Sequence, residues 1–234
     1  MKKCLLFILA LTLLSASALY AHDTWVAKEG DAFVVMNGHH GKGEPYKPAY
    51  VKGAKAYDAS GKEIAVTLKP QDTRVLLTPA KEPALVTVIY APGAWVKTPE
   101  GWKNLSKREA KNVNVIESGE WVKNVKHIYL WNERFSKPLG AKMEIVPLKN
   151  PLALKVGETL PLEVFYEGKP LAGAAVKAAG VGKDELKTDP NGRAEVPIKE
   201  KGLNLVVVTR KTTTPNNPDS DILYEAAHIA FEVK

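Results

Sequence analysis

The chain alternates apolar and polar residues over short segments, which is the pattern of half-buried β-strands. These segments are rich in β-branched residues and are separated by turn-forming residues such as glycine, proline and asparagine. We predict a mostly β protein with largely antiparallel strands, arranged as two β-sandwich domains. The predicted strands cover residues 32–36, 63–68, 74–78, 85–90, 159–166, 174–179, 193–198, 203–209 and 226–233.

Two segments predict other local structures. Residues 55–68 favour a hairpin, because Asp58-Ala59-Ser60-Gly61 supplies turn residues between two alternating runs. Residues 121–129 favour a helix, because their large apolar side chains recur at helical spacing. Ser106 followed by Glu109 resembles a capping box, which would begin a helix nearby.

Prolines at positions 147 and 151 indicate a connector rather than the interior of a strand or helix. We therefore place a domain boundary near Asn150, with an N-terminal domain at 22–149 and a C-terminal sandwich at 150–234. Within the second domain, residues 188–193 predict a tight turn, and residues 212–221 predict a long exposed loop.

Residues 1–21 have the layout of a secretory signal peptide, with two early lysines, an apolar run at 5–14 and small residues at 15–21. Cleavage after Ala21 would make His22 the first residue of a mature exported protein. Cleavage after Ala18 is the alternative, and it would leave three residues ahead of His22. No later stretch reaches the ~20 apolar residues of a membrane helix, so we expect the mature chain not to span a membrane.

Charge and cysteine content narrow the expected partners. The formal charge of +7 falls to +5 without the two signal lysines, and the remaining lysines are spread between carboxylates. Nucleic-acid binding is therefore not expected, since it calls for clustered basic residues. The one cysteine, Cys4, lies in the signal segment. A metal site in the mature chain would have to use nitrogen and oxygen ligands.

The candidate chemistry centres on the predicted mature N-terminus. A free N-terminal histidine offers a metal its α-amine, with a pKa of about 8, and its imidazole from one residue. The glycine-rich loop at 37–46 adds His39, His40 and Glu44. A strand-like backbone would turn only one of the two loop histidines toward His22, whereas a glycine-flanked loop could present both. Such a ligand set favours Ni(II), Cu(II) or Co(II) over Mg(II) or Ca(II).

Other histidines and the tryptophans are weaker candidates for a binding site. His228 is a further candidate ligand, because it could line a domain junction, although a structural role is favoured for it and for His127. The tryptophans could form a carbohydrate-binding platform, but large aromatic residues more often fill a β core. The sequence has no nucleophile elbow, P-loop or dinucleotide-binding motif, so hydrolysis and phosphoryl transfer are not favoured.

Several segments together resemble the DUF4198 family of exported proteins. They are Ala21-His22-Asp23-Thr24-Trp25-Val26, the loop from Gly38-His39-His40-Gly41 to Tyr46, residues 97–103, and Glu144-Ile145-Val146-Pro147-Leu148 with Asn150-Pro151. The resemblance covers essentially the whole mature chain. It implies a periplasmic nickel-binding component, of the NikK type, that serves an energy-coupling-factor nickel or cobalt uptake system. It also implies that His22 and either His39 or His40 are metal ligands.

The resemblance further implies Ig-like or transthyretin-like sandwiches. The second half is similar to transthyretin-like or CnaB-like modules at residues 168–174 and 189–193. The function that we expect is binding of Ni(II), with Co(II) or Cu(II) as alternatives, and delivery to a membrane transporter without enzymatic activity. Two other hypotheses stay open, a copper oxygenase with a histidine brace and a metal-free interaction or carbohydrate-binding module.

Overall fold

A computed structural model of the protein describes residues 22–39, 41–182 and 185–234. Within these residues the chain forms strands and three short 3-10 helices, with no α-helix. The strands are β1 (Asp23–Glu29), β2 (Ala32–His39), β3 (Lys42–Gly43), β4 (Val51–Tyr57), β5 (Glu63–Ile64), β6 (Val66–Pro70), β7 (Val75–Pro79), β8 (Leu85–Thr98), β9 (Gly101–Lys103), β10 (Glu117–Ile128), β11 (Met143–Pro147), β12 (Thr159–Tyr166), β13 (Lys169–Pro170), β14 (Val176–Lys177), β15 (Arg193–Pro197), β16 (Gly202–Thr213) and β17 (Ile222–Val233). The 3-10 helices are Pro48–Tyr50, Glu133–Ser136 and Pro151–Ala153.

The strands form three sheets. The front sheet has the order β1-β2-β7-β6, with β3 beside β2. The central sheet has the order β14-β16-β17-β10-β8-β4-β5, with β9 beside β8. The back sheet has the order β11-β12-β13, with β15 also beside β12. The pairs between these strands are antiparallel except that β10 and β17 run parallel.

The central sheet lies between two hydrophobic cores. Val86 and Val125 belong to the front core, where they meet front-sheet residues such as Val35. Leu85 and Ile128, from the same two strands, belong to the back core. Alternate residues of a strand point to opposite faces, so each of these strands supplies both cores. The predicted fold class, mostly β with sheets packed face to face, is confirmed.

Strands on both sides of Asn150 share the central sheet. β10 precedes this residue and pairs with β17, which follows it. β11 likewise precedes it and pairs with β12 of the back sheet. The Asn150 side chain accepts a hydrogen bond from the Leu152 amide at 3.0 Å and caps the 3-10 helix that follows. The domain boundary at this point stays a prediction.

Most predicted strands are confirmed, although some lengths differ. Residues 159–166 form β12 as expected, and residues 85–90 are the first part of a longer strand, β8. The predicted strand at 174–179 is reduced to Val176–Lys177. The turn at 188–193 forms with Asp189 accepting the amides of Asn191 and Arg193, each at 2.8 Å.

The hairpin predicted at 55–68 forms only in part. β4 and β5 pair antiparallel across a turn in which Asp58 accepts the amides of Ser60 and Lys62. The chain then leaves the central sheet, and β6 pairs with β7 in the front sheet. The residues of the Asp58 turn are therefore sufficient to reverse the chain between β4 and β5. The pairing of β6 with β7 instead depends on packing in the front core.

The helix predicted at 121–129 is wrong, because this segment lies in β10 and its end. β10 has a paired strand on each side in the central sheet, β8 and β17. The β-branched residues of the segment favour such a strand over a helix. The capping-box hydrogen bonds do form, since Glu109 accepts the Ser106 amide at 2.8 Å and donates its own amide to the Ser106 hydroxyl at 3.2 Å. That segment forms turns rather than a helix.

Candidate metal centre

The His22 side chain meets two side chains of the glycine-rich loop, His39 and Glu44, at one edge of the front sheet. His22 precedes β1, His39 ends β2, and Glu44 follows β3. The His22 Nε2 lies 2.8 Å from the Glu44 Oε2, and the two imidazole rings have centroids 4.3 Å apart. One potential ligand atom from each residue lies within 4.8 Å of the others. We call these three residues the histidine cluster.

The hairpin between β1 and β2 places the two histidines side by side. Its register pairs Asp23 with Gly38, so the residues just beyond that pair, His22 and His39, become neighbours. Tight chain reversal after β2 then returns Glu44 to the same edge, where its amide donates to the Asn37 carbonyl at 2.8 Å.

Glycine is required at the start of this reversal. A Cβ atom at Gly38 would collide with the backbone carbonyl of Lys42, so a larger residue would force β2 and β3 apart. Gly41 has a φ of +72°, a left-handed conformation that favours glycine. The predicted ligand His40 lies between them and outside the described residues.

The histidine cluster is open to solvent and has a neutral imidazole available. The side chains of His22 and Glu44 are 43% and 49% exposed. Burial, followed by the neighbouring charge of His22, lowers the pKa of His39 below its ordinary value of 6.5. Because a metal binds the neutral imidazole, His39 needs little proton displacement at neutral pH.

A buried lysine lies directly beneath the cluster. Lys123 of β10 donates hydrogen bonds from its Nζ to the His22 carbonyl at 2.6 Å, the Thr24 hydroxyl at 3.1 Å and the Asn37 side-chain oxygen at 3.1 Å. Burial lowers the pKa of Lys123 to about 7, only partly opposed by the charge of Asp23.

Lys123 is not among the sequence-predicted site residues, because the apolar spacing at 121–129 predicts a helix. Alternation along a strand would have placed Lys123 on the same face as Val125, toward the front core. A lysine at such a position is the signal that could have identified it.

The structure places His228 behind the cluster rather than in it. Its Nδ1 accepts the Thr24 amide at 3.2 Å, and the residue is only 3% exposed. Burial, followed by the charge of Lys123, places the pKa of His228 well below 6.5. His228 therefore supports β1 as a neutral imidazole, and its role as a ligand stays a prediction.

His127 is also buried, on the same side of the central sheet. Its ring stacks on Tyr129 with centroids 4.4 Å apart, and its Nδ1 has no hydrogen-bond partner in the described part of the chain. Burial alone lowers the pKa of His127 to about 3. This environment fits the structural role that the sequence predicted for it.

Three of the tryptophans considered for a carbohydrate-binding platform, Trp102, Trp121 and Trp131, pack against other aromatic rings. Trp121 stacks on Tyr224 with centroids 4.6 Å apart and contacts Trp102 edge to face at 5.2 Å. Trp131 packs edge to face on Phe135, which is fully buried. The one stacked contact covers a face of the Trp121 ring, which would otherwise be available to a sugar.

In the described part of the chain, no helix has the length and apolar character needed to cross a membrane.

Comparison with known proteins identifies a family but no characterised relative. A search of curated proteins returns no match. Among solved structures, the D0-D1 domain of intimin is similar at 15% identity and a TM-score of 0.22, with 90% of this chain and 97% of that chain covered. A likeness at that TM-score carries no argument about function. The family model for a domain of unknown function, DUF4198, matches residues 19–212. That match spans most of the sequence, including the histidine cluster, and the chain therefore belongs to the DUF4198 family.

Proposed function

We propose that this protein binds one divalent late transition metal ion at the histidine cluster. The observation that carries the proposal is the convergence of His22, His39 and Glu44, whose potential ligand atoms lie within 4.8 Å of one another. Two imidazoles and a carboxylate suit Ni(II), Co(II) or Cu(II), whereas Ca(II) and Mg(II) prefer oxygen ligands throughout.

Signal cleavage after Ala21 would complete this ligand set. The α-amine of His22 would then be free, and it would add a second nitrogen from the same residue. Residues 1–21 lie outside the described part of the chain, so this step depends on the sequence pattern. Water would fill the remaining coordination positions, because the cluster is half exposed.

We further propose that the metal is Ni(II), bound in the periplasm and delivered to a membrane transporter. The choice of nickel and of a transporter partner rests on the resemblance to nickel-binding DUF4198 proteins. Exposure of His22 and Glu44 supports delivery, because a partner could reach the ion without unfolding the sheets. Binding and release of an ion require no general acid, base or nucleophile.

Calorimetric titration with NiCl₂ tests the binding proposal on two forms of the chain. One form begins at His22, and the other carries one additional methionine before it. We expect one Ni(II) per chain for the first form and at least about 10-fold weaker binding for the second, because an amide replaces the amine. Lys28→Ala, on an exposed ion pair in the same sheet, is the control and should bind like the parent. Absence of Ni(II) and Cu(II) binding would contradict the proposal, and equal affinity of both forms would exclude the amine as a ligand.

A copper oxygenase is the second candidate, favoured by the proximity of the His22 and His39 rings. Cu(II) loading followed by ascorbate addition under air distinguishes it from a delivery protein. Consumption of oxygen beyond that of free copper, lost in His39→Ala, would favour the oxygenase. Tight Ni(II) binding without such turnover would favour delivery.

A further inference from the structure

The ammonium group of Lys123 is fully occupied beneath the histidine cluster. The residue is only 4% exposed, and its Nζ contacts the His22 carbonyl, the Thr24 hydroxyl and the Asn37 side-chain oxygen. In its protonated form Lys123 has three N–H hydrogens, and the three acceptors then use every donor. The shortest of the three contacts, at 2.6 Å, goes to the main chain of His22.

That contact holds a residue that lies just outside the sheet. The register pairs of β1 and β2 begin at Asp23 and Gly38, so His22 precedes the ladder. The Lys123 hydrogen bond ties its carbonyl to the central sheet instead. Because Lys123 also contacts Thr24 and Asn37, it joins His22 to both strands of the front hairpin.

Holding the carbonyl of His22 restricts the rest of that residue. The main-chain nitrogen and the imidazole both extend from its Cα, so the orientation of the peptide plane limits where they point. In the structure the ring points at His39 and Glu44. Ordering these groups in advance reduces the conformational entropy that they would otherwise lose when an ion binds.

Filling the buried space at this position does not by itself require a lysine. Burying an ammonium group is unfavourable unless it is well paired, and an apolar residue would fill the space at lower cost. Lys126, on the opposite face of β10, has a carboxylate partner, Glu144, at 2.8 Å. Lys123 instead donates its hydrogen bonds to three uncharged oxygens, which belong to His22, Thr24 and Asn37.

We propose that Lys123 is a positioning residue for the metal centre, which orients His22 through its carbonyl. This inference rests on the proposed function for its consequence in metal binding, but its structural part concerns the metal-free protein.

The test uses the chain beginning at His22 and three variants. Lys123→Met removes the donor and keeps the approximate shape of the stem. Thr24→Val removes one acceptor of Lys123 and leaves its contact with His22. Lys126→Met removes the other buried lysine of β10, so it is the matched control for loss of a buried cation. Two measurements are made on folded protein: NMR of His22 and the Asp23 amide without metal, and calorimetric Ni(II) affinity.

In Lys123→Met we expect the His22 ring signals to move toward unstructured shifts, the Asp23 amide to exchange faster, and Ni(II) affinity to fall at least about 10-fold. Lys126→Met and Thr24→Val should keep the His22 signals and the parent affinity. Parent-like His22 signals in Lys123→Met, or tighter Ni(II) binding from lost charge repulsion, would overturn the positioning role. If the parent binds no Ni(II), the proposed function fails, and the metal-free NMR measurement alone decides whether Lys123 positions His22.

Discussion

The two sides of the central sheet bury polar groups in different ways. On the back side, Lys126 donates to Glu144 at 2.8 Å and to the Ile145 carbonyl at 2.9 Å. On the front side, Lys123 contacts uncharged oxygens, and His127 has a nitrogen without a partner among the described residues. The buried lysine of the back side is therefore paired with a carboxylate, whereas the buried lysine of the front side donates its hydrogen bonds to uncharged oxygens.

Glu225 strengthens this contrast. It lies on the back face of β17 with Lys142 at 2.6 Å and Arg210 at 3.2 Å, and it accepts the Tyr166 hydroxyl at 2.9 Å. Burial alone would raise the pKa of Glu225, but the hydrogen bonds from Lys142 and Tyr166 lower it overall. Such complete pairing is typical of a structural network. On the front side, Lys123 instead donates its hydrogen bonds to oxygens of His22, Thr24 and Asn37.

The largest expected effect comes from breaking the buried pair on the back side. Glu144→Gln should reduce the free energy of unfolding by about 3–5 kcal/mol, because it leaves Lys126 buried without a countercharge. Urea denaturation measures this change. Glu82→Gln is the matched control, since Glu82 forms an exposed ion pair with Lys28 at 2.7 Å, and it should cost less than about 1 kcal/mol. Equal costs for the two variants would contradict the contrast between buried and exposed pairs.

The next effect concerns His127 on the front side, whose Nδ1 has no hydrogen-bond partner among the described residues. His127 has a pKa of about 3 in the folded protein against 6.5 for an ordinary histidine, so the unfolded chain binds more protons between these values. Its contribution to stability is complete above pH 6.5 and is lost as the pH falls toward 3. At pH 4 the loss should be about 3 kcal/mol relative to pH 7, from about 1.4 kcal/mol per unit.

His127→Phe should remove this part of the acid sensitivity. Chemical denaturation of both proteins at pH 7 and pH 4 measures the difference, and the contributions of other titrating groups cancel between them. If the free energy of unfolding falls equally in both proteins between pH 7 and pH 4, folding does not lower the pKa of His127.

A smaller effect should separate the two histidines of the loop. His39→Ala should weaken Ni(II) binding at least about 10-fold, roughly 1.4 kcal/mol or more, because His39 belongs to the histidine cluster. His40→Ala should have a smaller effect, since a strand-like backbone would turn only one of the two loop histidines toward His22. Calorimetry compares the two variants. The reverse order would assign the ligand to His40.

The smallest effect is expected at the exposed carboxylate. Glu44→Gln keeps a side-chain oxygen near His22 but removes the charge, so Ni(II) affinity should fall less than in His39→Ala, by under about 10-fold. Glu63→Gln, on an exposed carboxylate of the central sheet, should not change the affinity. A loss larger than that of His39→Ala would make Glu44 the dominant ligand.

Much of the fold could be predicted from local patterns. β12 was predicted over its exact range, and the Asp58 and Asp189 turns formed as expected, because alternation and turn chemistry act between residues close in sequence. β10 was mistaken for a helix because its large side chains also recur at helical spacing. Its two neighbouring strands, which decide the outcome, are distant in sequence.

Some features of the candidate site likewise follow from local sequence, and others depend on contacts between distant strands. The glycine-rich loop with its histidines and the mostly β character follow from the sequence alone, since they depend on residue type and local spacing. The folded arrangement was needed to show that His22, His39 and Glu44 converge, that His228 lies behind β1, and that Lys123 holds the His22 carbonyl. The physical reason is that these contacts depend on which strands pair and in which register, and a strand's own alternation does not specify its partners.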